Sequence, residues 1–563
     1  MLQNEPRTPN PRSRFYWLGL LVVFTLVWFS NIEYRKLVRP DEGRYAEISR
    51  EMAVSGDWVT PRLNDLKYFE KPPLQYWATA AAFRAFGDSH WAARWWPAAT
   101  TFACVLLMFW TGRRLFGFEV GLAAAAMLGG CSGFVINAHI NTLDAELTAF
   151  LTVALLGFLL AQHPGATPKE NHHWMRVVWA ALALAVLSKG LVGVVLPGAI
   201  LALYLLLERD GRRLTRLHIA EGAVILLLIA VPWFVAVSLA NHEFAHFFFI
   251  HEHLERFLTH VHKRDGAWWY FVPILLFGAM PWTPFIAIRL RDGWRREGEP
   301  GTLQPLRLLL IWTAFIFLFF SASSSKLPSY ILPVFPALAL FAAIEIQRLE
   351  PKTLSHFTWG LAAIGGALLL ALLIGGERMA RVFAKESSQF GIVRNYIPWI
   401  QASVLSFILG ALAAAWLLRR HARSTGIVAL AFGSLAAGIV ALNGHDQLSR
   451  LFSAYHMVRE TEAEYGPFDP AAPFYSVQMY DQTLPFYLKH PVTLVQYSDE
   501  FALGLAAEPQ KGIAQVEDWK QRWIALDKGY AMMNLANYER FASEGLPMRL
   551  LARAPRRVIV SRQ

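Results

Sequence analysis

The chain has 563 residues, 55% hydrophobic and only 17% charged, against roughly 25% charged in ordinary soluble domains, so its ionic side chains are too few to coat a water-soluble surface. With a mean hydropathy of +0.32, 21 Trp and 39 Phe, it reads as a membrane protein and not as a disordered, fibrous or coiled-coil chain. The excess of 53 basic over 42 acidic residues, +11, points in a membrane chain to cytoplasmic loops and to anionic ligands such as phosphates or lipid headgroups before nucleic acid. Cys104 and Cys131 both fall in apolar runs. No disulfide framework or cysteine metal site is available, so an exported domain is expected to stand on its own core.

A membrane span needs about 20 apolar residues. The first such run, Phe15 to Ser30, follows Arg7, Arg12 and Arg14, which puts the N-terminus in the cytoplasm. No small-residue cleavage site follows it, so it reads as an anchor. Residues 31–94 are too polar to span and read as a long first exoplasmic loop, with Tyr and Trp suited to interfacial helices. Further runs near 95–111, 118–137, 144–162, 177–188, 190–207, 219–240, 269–288, 305–321, 331–347, 358–375, 399–418 and 426–442 bring the total to about thirteen. Alternate loops are rich in arginine: Arg113 and Arg114; Arg209, Arg212, Arg213 and Arg216; Arg289, Arg291, Arg295 and Arg296; Arg419, Arg420 and Arg423. These are the expected cytoplasmic loops. The runs 177–188 and 190–207 meet at Ser188, Lys189 and Gly190 and form either a shallow V or one long bent helix; the arginine pattern beyond 207 favours the V.

The polytopic part therefore covers 1–442, and the tail 443–563 is long enough for a small domain. Its runs Phe474–Met479, Val492–Tyr497, Tyr530–Leu535 and Met548–Val560 are strand-like, with helical stretches between. The expectation is a polytopic α-helical membrane protein with a C-terminal soluble α/β domain on the side opposite the N-terminus, the periplasm in a Gram-negative cell. The absence of an internal repeat weighs against a secondary transporter.

Four clusters bear chemistry. Arg39-Pro40-Asp41-Glu42-Gly43-Arg44-Tyr45, followed by Glu70-Lys71-Pro72-Pro73, places adjacent acids just outside a span. They are either solvated loop charges paired with Arg39 or Arg44, or carboxylates facing a substrate that develops positive charge, as sugar transfer requires. Asp144 begins an apolar helical run on the same side, where it serves either as an N-cap or as a second acid of one site. Residues 241–262 hold six histidines and include His242-Glu243-Phe244-Ala245-His246, an H-E-x-x-H match without a recognisable third ligand. In the same segment His251 and Glu255 share a helix face, and Arg256 offers a phosphate fork. Lys189 and Lys326 sit at the outer mouths of apolar helices, as snorkelling lysines or as phosphate ligands.

Arg39–Glu47 (RPDEGRYAE) with Phe69–Trp77 (FEKPPLQYW), Ile250–Phe257 (IHEHLERF) and Ser325–Pro333 (SKLPSYILP) resembles the bacterial aminoarabinose transferases that modify lipid A. These are GT-C membrane glycosyltransferases related to the protein O-mannosyltransferases. The resemblance covers nearly the whole chain; the first-loop motif alone is shared by several lipid-sugar transferases. It implies a thirteen-span inner-membrane enzyme, acting as a monomer, with a periplasmic active site and C-terminal domain. The donor would be undecaprenyl phosphate aminoarabinose and the acceptor a lipid A phosphate, with resistance to polymyxin and other cationic peptides as the outcome.

By motif position, Asp41 and Asp144 would be the catalytic acids. Lys71 and Arg256, with Lys189 and Lys326, would hold the carrier phosphate, and Glu70 and His251 would share a divalent metal such as Zn²⁺, two ligands being an incomplete site. A phosphate monoester with a second pKa of about 6 is already anionic near neutral pH and needs no strong base. Asp41 is then expected to orient the acceptor, pair with the donor amine or stabilise the anomeric carbon during one inverting displacement. The rival readings are a transferase with a protein or glycan acceptor, an intramembrane metalloprotease using His242 and His246, and a lipid-sugar transporter. A transporter would place its charges near mid-membrane rather than at one face.

Overall fold

The computed structural model describes residues 11–209, 211–255, 266–290, 294 and 302–562. The apolar runs become helices, from Pro11–Phe29 to Arg423–His445. Among the described residues six are long and apolar enough to cross a bilayer unaided. Phe118–Gly129 and Ser132–Ala138, bent by 62°, make a seventh candidate, and three further apolar helices are shorter. Leu143–Gln162 is the innermost: its candidate span is 83% buried, whereas that of Ile219–Ala240 is 17% buried and faces outward. The two short runs form the V. Pro168–Lys189 ends at Gly190, whose φ of +81° reverses the chain, and Val192–Glu208 folds back so that Leu196 packs in one cluster with Ala185, Leu147 and Leu151.

The helix ends sort by charge. At one end, Arg114 pairs with Glu170 at 3.1 Å and Arg213 and Arg216 donate to the carbonyls of Gln162 and Ala161. There too Arg423 donates to the carbonyl of Leu349 at 2.7 Å. The acids singled out from the sequence lie at the other end, with the first loop.

That loop folds into two helices, Asp41–Ser55 and Leu74–Phe86, joined by a short antiparallel ribbon of β1 (Arg62–Leu63) and β2 (Leu66–Lys67). It is sewn to the outer end of the Ile219–Ala240 helix. Trp233 donates to the carbonyl of Val59 at 3.0 Å, Asn241 to Thr60 at 2.9 Å, and Lys67 pairs with Glu243 at 2.6 Å.

The tail carries a six-stranded mixed sheet, ordered β5-β4-β3-β6-β8-β7: β3 Phe474–Val477, β4 Thr493–Val495, β5 Gly512–Ile513, β6 Gly529–Asn534, β7 Arg549–Arg553 and β8 Arg557–Arg562. β5, β4, β3 and β6 are parallel and linked by helices, whereas β8 runs antiparallel to both β6 and β7. The single run expected at Met548–Val560 is thus a hairpin, turned at Ala554–Arg556, and β5 is too short to carry a periodic signal.

Contrary to expectation, the tail does not stand on a core of its own alone. Alternation along the strands splits the sheet's side chains between two clusters. Tyr475, Val477, Ala531 and Met533 pack under the domain's own Trp519, Trp523 and Phe541. Phe474, Tyr530, Met532 and Ile559 share a cluster with Tyr45, Ile48, Met52, Ala80 and Phe83 of the first loop. Both faces are covered, which is why these strands read as continuous apolar runs. Asn64 completes the join like an extra strand residue, donating to the carbonyl of Val492 and accepting from its N–H, both at 2.7 Å.

Candidate active site

The site is built where the tail domain caps the first loop. The Asp41–Ser55 helix begins with its acids in the first turn, where the helix dipole favours them. Gly43 lies against the cap: a Cβ there would meet Thr483 Cγ2 at 2.6 Å and the Gln482 carbonyl oxygen at 2.7 Å, so no side chain fits. This contact lets the cap reach the next residue. Arg44 donates to Asp41 Oδ1 at 3.1 Å and also pairs with Glu500, which Gln482 holds from the far side at 2.8 Å. Burial pushes the Glu500 carboxyl up, against the pull of Arg44. Glu70, Tyr45, Tyr68 and Tyr76 lie within electrostatic reach of Arg44, and Asp41 acts on Tyr45 and Tyr76.

The adjacent acids have different roles. Asp41 keeps 38% of its side chain open, whereas Glu42 is buried and clasped by Arg94 at 2.6 and 2.8 Å, with the amide of Asn141 at 3.2 Å. Burial alone would raise the Glu42 carboxyl; the Arg94 charge and hydrogen bonds, with Arg35 and the Asn141 amide, outweigh it and hold the group at about 2. Arg94 also donates to the carbonyls of Ile32, Arg35 and Lys36, so this pair pins the loop to the helix His90–Phe116.

Asp144 is not an N-cap. Thr142 occupies that position without a side-chain bond, and the Asp144 carboxylate turns to Lys189 on the V and to Ser329 Oγ at 2.9 Å. Lys189 lies 4.9 Å from the ring centroid of Tyr330. Lys326, nearby in the chain, donates to the carbonyls of Ser321 (3.0 Å) and Ser323 (2.5 Å) at the end of the helix Pro305–Ala322. The two acid clusters adjoin at one wall: Tyr76 feels both Asp41 and Glu146, which lies two residues on from Asp144 in the same first helical turn. Along it Tyr68 Oη, Tyr76 Oη, Gln75 Oε1, Asn141 Nδ2 and Glu146 Oε1 are buried without a hydrogen-bond partner. Buried polar groups are ordinarily satisfied, so a run of orphans marks a place for a polar ligand.

Lys71 donates to the Glu70 carbonyl at 2.7 Å. Phe69, just before, stacks edge-on against Phe244 at 5.3 Å and so ties this segment to the chain entering the π-type helix His246–Glu255. Arg256 lies outside the described residues, and of His251 the backbone alone is described. The H-E-x-x-H match has no zinc-site geometry: His242 is fully exposed in a turn, and Glu243 is taken by Lys67. Among the described residues the converging metal-type donors are instead His172, His218 and Glu221, at the opposite end of the helices.

Glu500, Glu146 and the tyrosines Tyr45, Tyr68 and Tyr76 were missed from sequence. Glu500 sits in an ordinary polar stretch more than 400 residues from Arg44, and no spacing rule could have joined them. Tyr45 and Tyr76 stand inside the motifs already singled out.

A multi-span helical body whose first-loop acids lie beneath an α/β cap defines the GT-C class of membrane glycosyltransferases. The family model described as dolichyl-phosphate-mannose-protein mannosyltransferase matches residues 13–248, and the aminoarabinose transferase C-terminal domain matches 463–562. The crystal structure of ArnT from Cupriavidus metallidurans bound to undecaprenyl phosphate superposes with a TM-score of 0.89 at 37% identity, covering 97% of this chain and 98% of that one. The undecaprenyl phosphate-α-4-amino-4-deoxy-L-arabinose arabinosyl transferase of Aeromonas hydrophila is 34% identical over 400 residues, 69% of this chain and 71% of that protein. Its counterpart in Edwardsiella ictaluri is 33% identical, and the match spans 60% of its length. This chain belongs to that aminoarabinose transferase family. An archaeal oligosaccharyltransferase, at 12% identity and a TM-score of 0.51, shares the fold alone.

Proposed function

We propose that the chain transfers 4-amino-4-deoxy-L-arabinose from undecaprenyl phosphate to a phosphate of lipid A, at the periplasmic face of the bacterial inner membrane. The observation that carries this reading is the Asp41–Arg44–Glu500 arrangement beneath the cap, beside a wall of unpartnered buried polar groups, in a fold whose solved relative holds undecaprenyl phosphate. The gathering of arginines at the opposite helix ends supports the orientation, since basic loops stay cytoplasmic.

In the transfer, an acceptor phosphate oxygen forms the new bond to the anomeric carbon as the bond to the carrier phosphate breaks with its electron pair, inverting that carbon. No proton has to move. Arg44 holds Asp41 by one arm while Glu500 holds Arg44, so the Asp41 carboxylate is fixed against the positive charge that builds on the sugar. Lys71 and Arg256 take the growing charge of the leaving carrier phosphate, and a guanidinium does so with two parallel bonds. Lys189 and Asp144 form a second, coupled cation and acid along the same wall, and Lys326 lends positive charge to that mouth.

Glu70 is partly buried and has no ion pair among the described residues, because Arg44 is engaged by Asp41 and Glu500. It would be one ligand of a divalent cation, with His251 the second by motif position alone. When bound, that ion would add positive charge near the carrier phosphate.

The test is mass spectrometry of lipid A from cells with the gene, without it, and carrying Asp41→Asn. The expected result is an added aminoarabinose in the first case alone. An unmodified lipid A in all three would overturn the reading.

A further inference from the structure

A basic recess opens beside Arg39. It is a cavity of about 220 Å³ between the first loop, the chain leaving the last membrane helix and the β7–β8 hairpin. Four arginines line it, Arg39, Arg450, Arg556 and Arg557, with Asn534 and Met479.

Three of the four charges are balanced from outside. Arg450 pairs with Glu460 at 2.7 Å, Arg556 loosely with Glu386 at 3.6 Å, and Arg557 with Asp481. Arg39 forms no ion pair among the described residues, and its Nε is buried without a hydrogen-bond partner. Burial, and next the charge of Arg556, hold the Arg39 guanidinium below its ordinary value. Two guanidiniums within electrostatic reach of each other at one cavity favour an anion between them.

The position limits what that anion is. Arg39 is two residues from Asp41, so the two backbones lie within about 7 Å of each other and one wall of the recess adjoins the start of the acid helix. None of Lys71, Lys189 or Lys326 lines it, so it is separate from the residues assigned to the carrier phosphate. An acceptor with two phosphates reacts through one near Asp41 and leaves the other as an anion for a neighbouring basic recess.

We infer that the Arg39–Arg450–Arg556–Arg557 recess seats the second, non-reacting phosphate of the acceptor and so selects doubly phosphorylated glycolipids. This inference rests on the proposed transfer to a lipid phosphate. Guanidinium forks suit a phosphate's paired oxygens, and several of them together read a dianion rather than a neutral headgroup.

The experiment uses the full chain in zwitterionic nanodiscs with the undecaprenyl donor, comparing lipid A bearing two phosphates with lipid A bearing one. Arg450→Gln and Arg556→Gln are combined, because both side chains are exposed and their surface ion pairs contribute little to stability. The wild type should favour the doubly phosphorylated acceptor about tenfold in KM, at similar kcat. The double variant should lose that preference while its KM for the singly phosphorylated acceptor stays unchanged. Equal KM values for both acceptors in the wild type, or an equal rise for both in the variant, would overturn the inference. If the variant's defect instead followed the anionic phospholipid content of the nanodisc, the recess would be a bilayer headgroup site and the inference would also fall. Failure of the wild type to transfer to either acceptor would instead strike the proposed function.

Discussion

Glu42 faces Arg94 across a two-bond pair at 2.6 and 2.8 Å, with both side chains withdrawn from water. Beside Asp41, the pair shows how one dipeptide divides its surroundings: the second acid is buried and holds the loop in place, while the first stays partly open and is held by Arg44. Breaking a buried pair by removing one partner costs about 3–5 kcal/mol, because the other charge is stranded. Glu42→Gln is therefore expected to lower the unfolding temperature sharply in detergent. The Glu42 carboxyl sits at about 2 in the folded chain against an ordinary 4.5. Its contribution, about 3 kcal/mol, is thus fully present above pH 4.5 and lost as the pH falls towards 2. Thermal unfolding across that window should show a steep loss in the wild type and a flatter one in the variant.

Asp41→Asn should leave the fold intact and stop sugar transfer. The side chain is partly exposed, and such a pair with Arg44 contributes no more than about 1 kcal/mol, so the unfolding temperature should barely move while turnover disappears. Near-normal turnover in that variant would remove Asp41 from the chemistry.

Glu500→Gln tests the cap's share in the same arrangement. Arg44 would lose its partner in the tail domain but keep Asp41. A fall of about tenfold in kcat, roughly 1.4 kcal/mol, with donor KM little changed, is the expected outcome. A Lys at position 44 should not substitute, since one ammonium cannot present the guanidinium's fork to two carboxylates.

The features legible in the sequence were those with a local signature. Apolar runs marked the helices, arginine loops their common face, and the motifs around Asp41 and Glu70 the segments that form the candidate site. Asp144 shows where local reasoning stops: its position suggested a cap, and only the folded V, which brings Lys189 up to it, gives the carboxylate another partner. Arg94 was unreadable for a similar reason, since an arginine near the start of a membrane helix resembles any interfacial charge until Glu42 is set against it. The hairpin β7–β8 was read as one run because both its strands are apolar and the turn between them is short.

The histidine-rich segment provides a sharp negative test. His242→Ala and His246→Ala should retain transfer activity, because both side chains are exposed and Glu243 is occupied by Lys67. Lys71→Ala should instead raise donor KM. Loss of activity in either histidine variant, together with bound zinc, would revive a metalloenzyme reading of that motif.

The last expectation concerns a residue with no polar chemistry at all. Gly43→Ala adds one methyl group where Thr483 Cγ2 and the Gln482 carbonyl oxygen already stand 2.6 and 2.7 Å from the new carbon. The carbonyl belongs to the backbone and cannot swing away, so the cap must lift. Overpacking of this kind costs about 1–3 kcal/mol. The lift would draw Glu500 from Arg44 and loosen the hold on Asp41. Gly43→Ala should therefore resemble Glu500→Gln in kcat while also speeding proteolysis between residues 443 and 473, where the membrane helices give way to the cap. Thr483→Ser in the same chain removes one of the two clashes and should restore part of the activity. Full activity in Gly43→Ala would show that the cap need not sit closely on the helix for transfer to proceed.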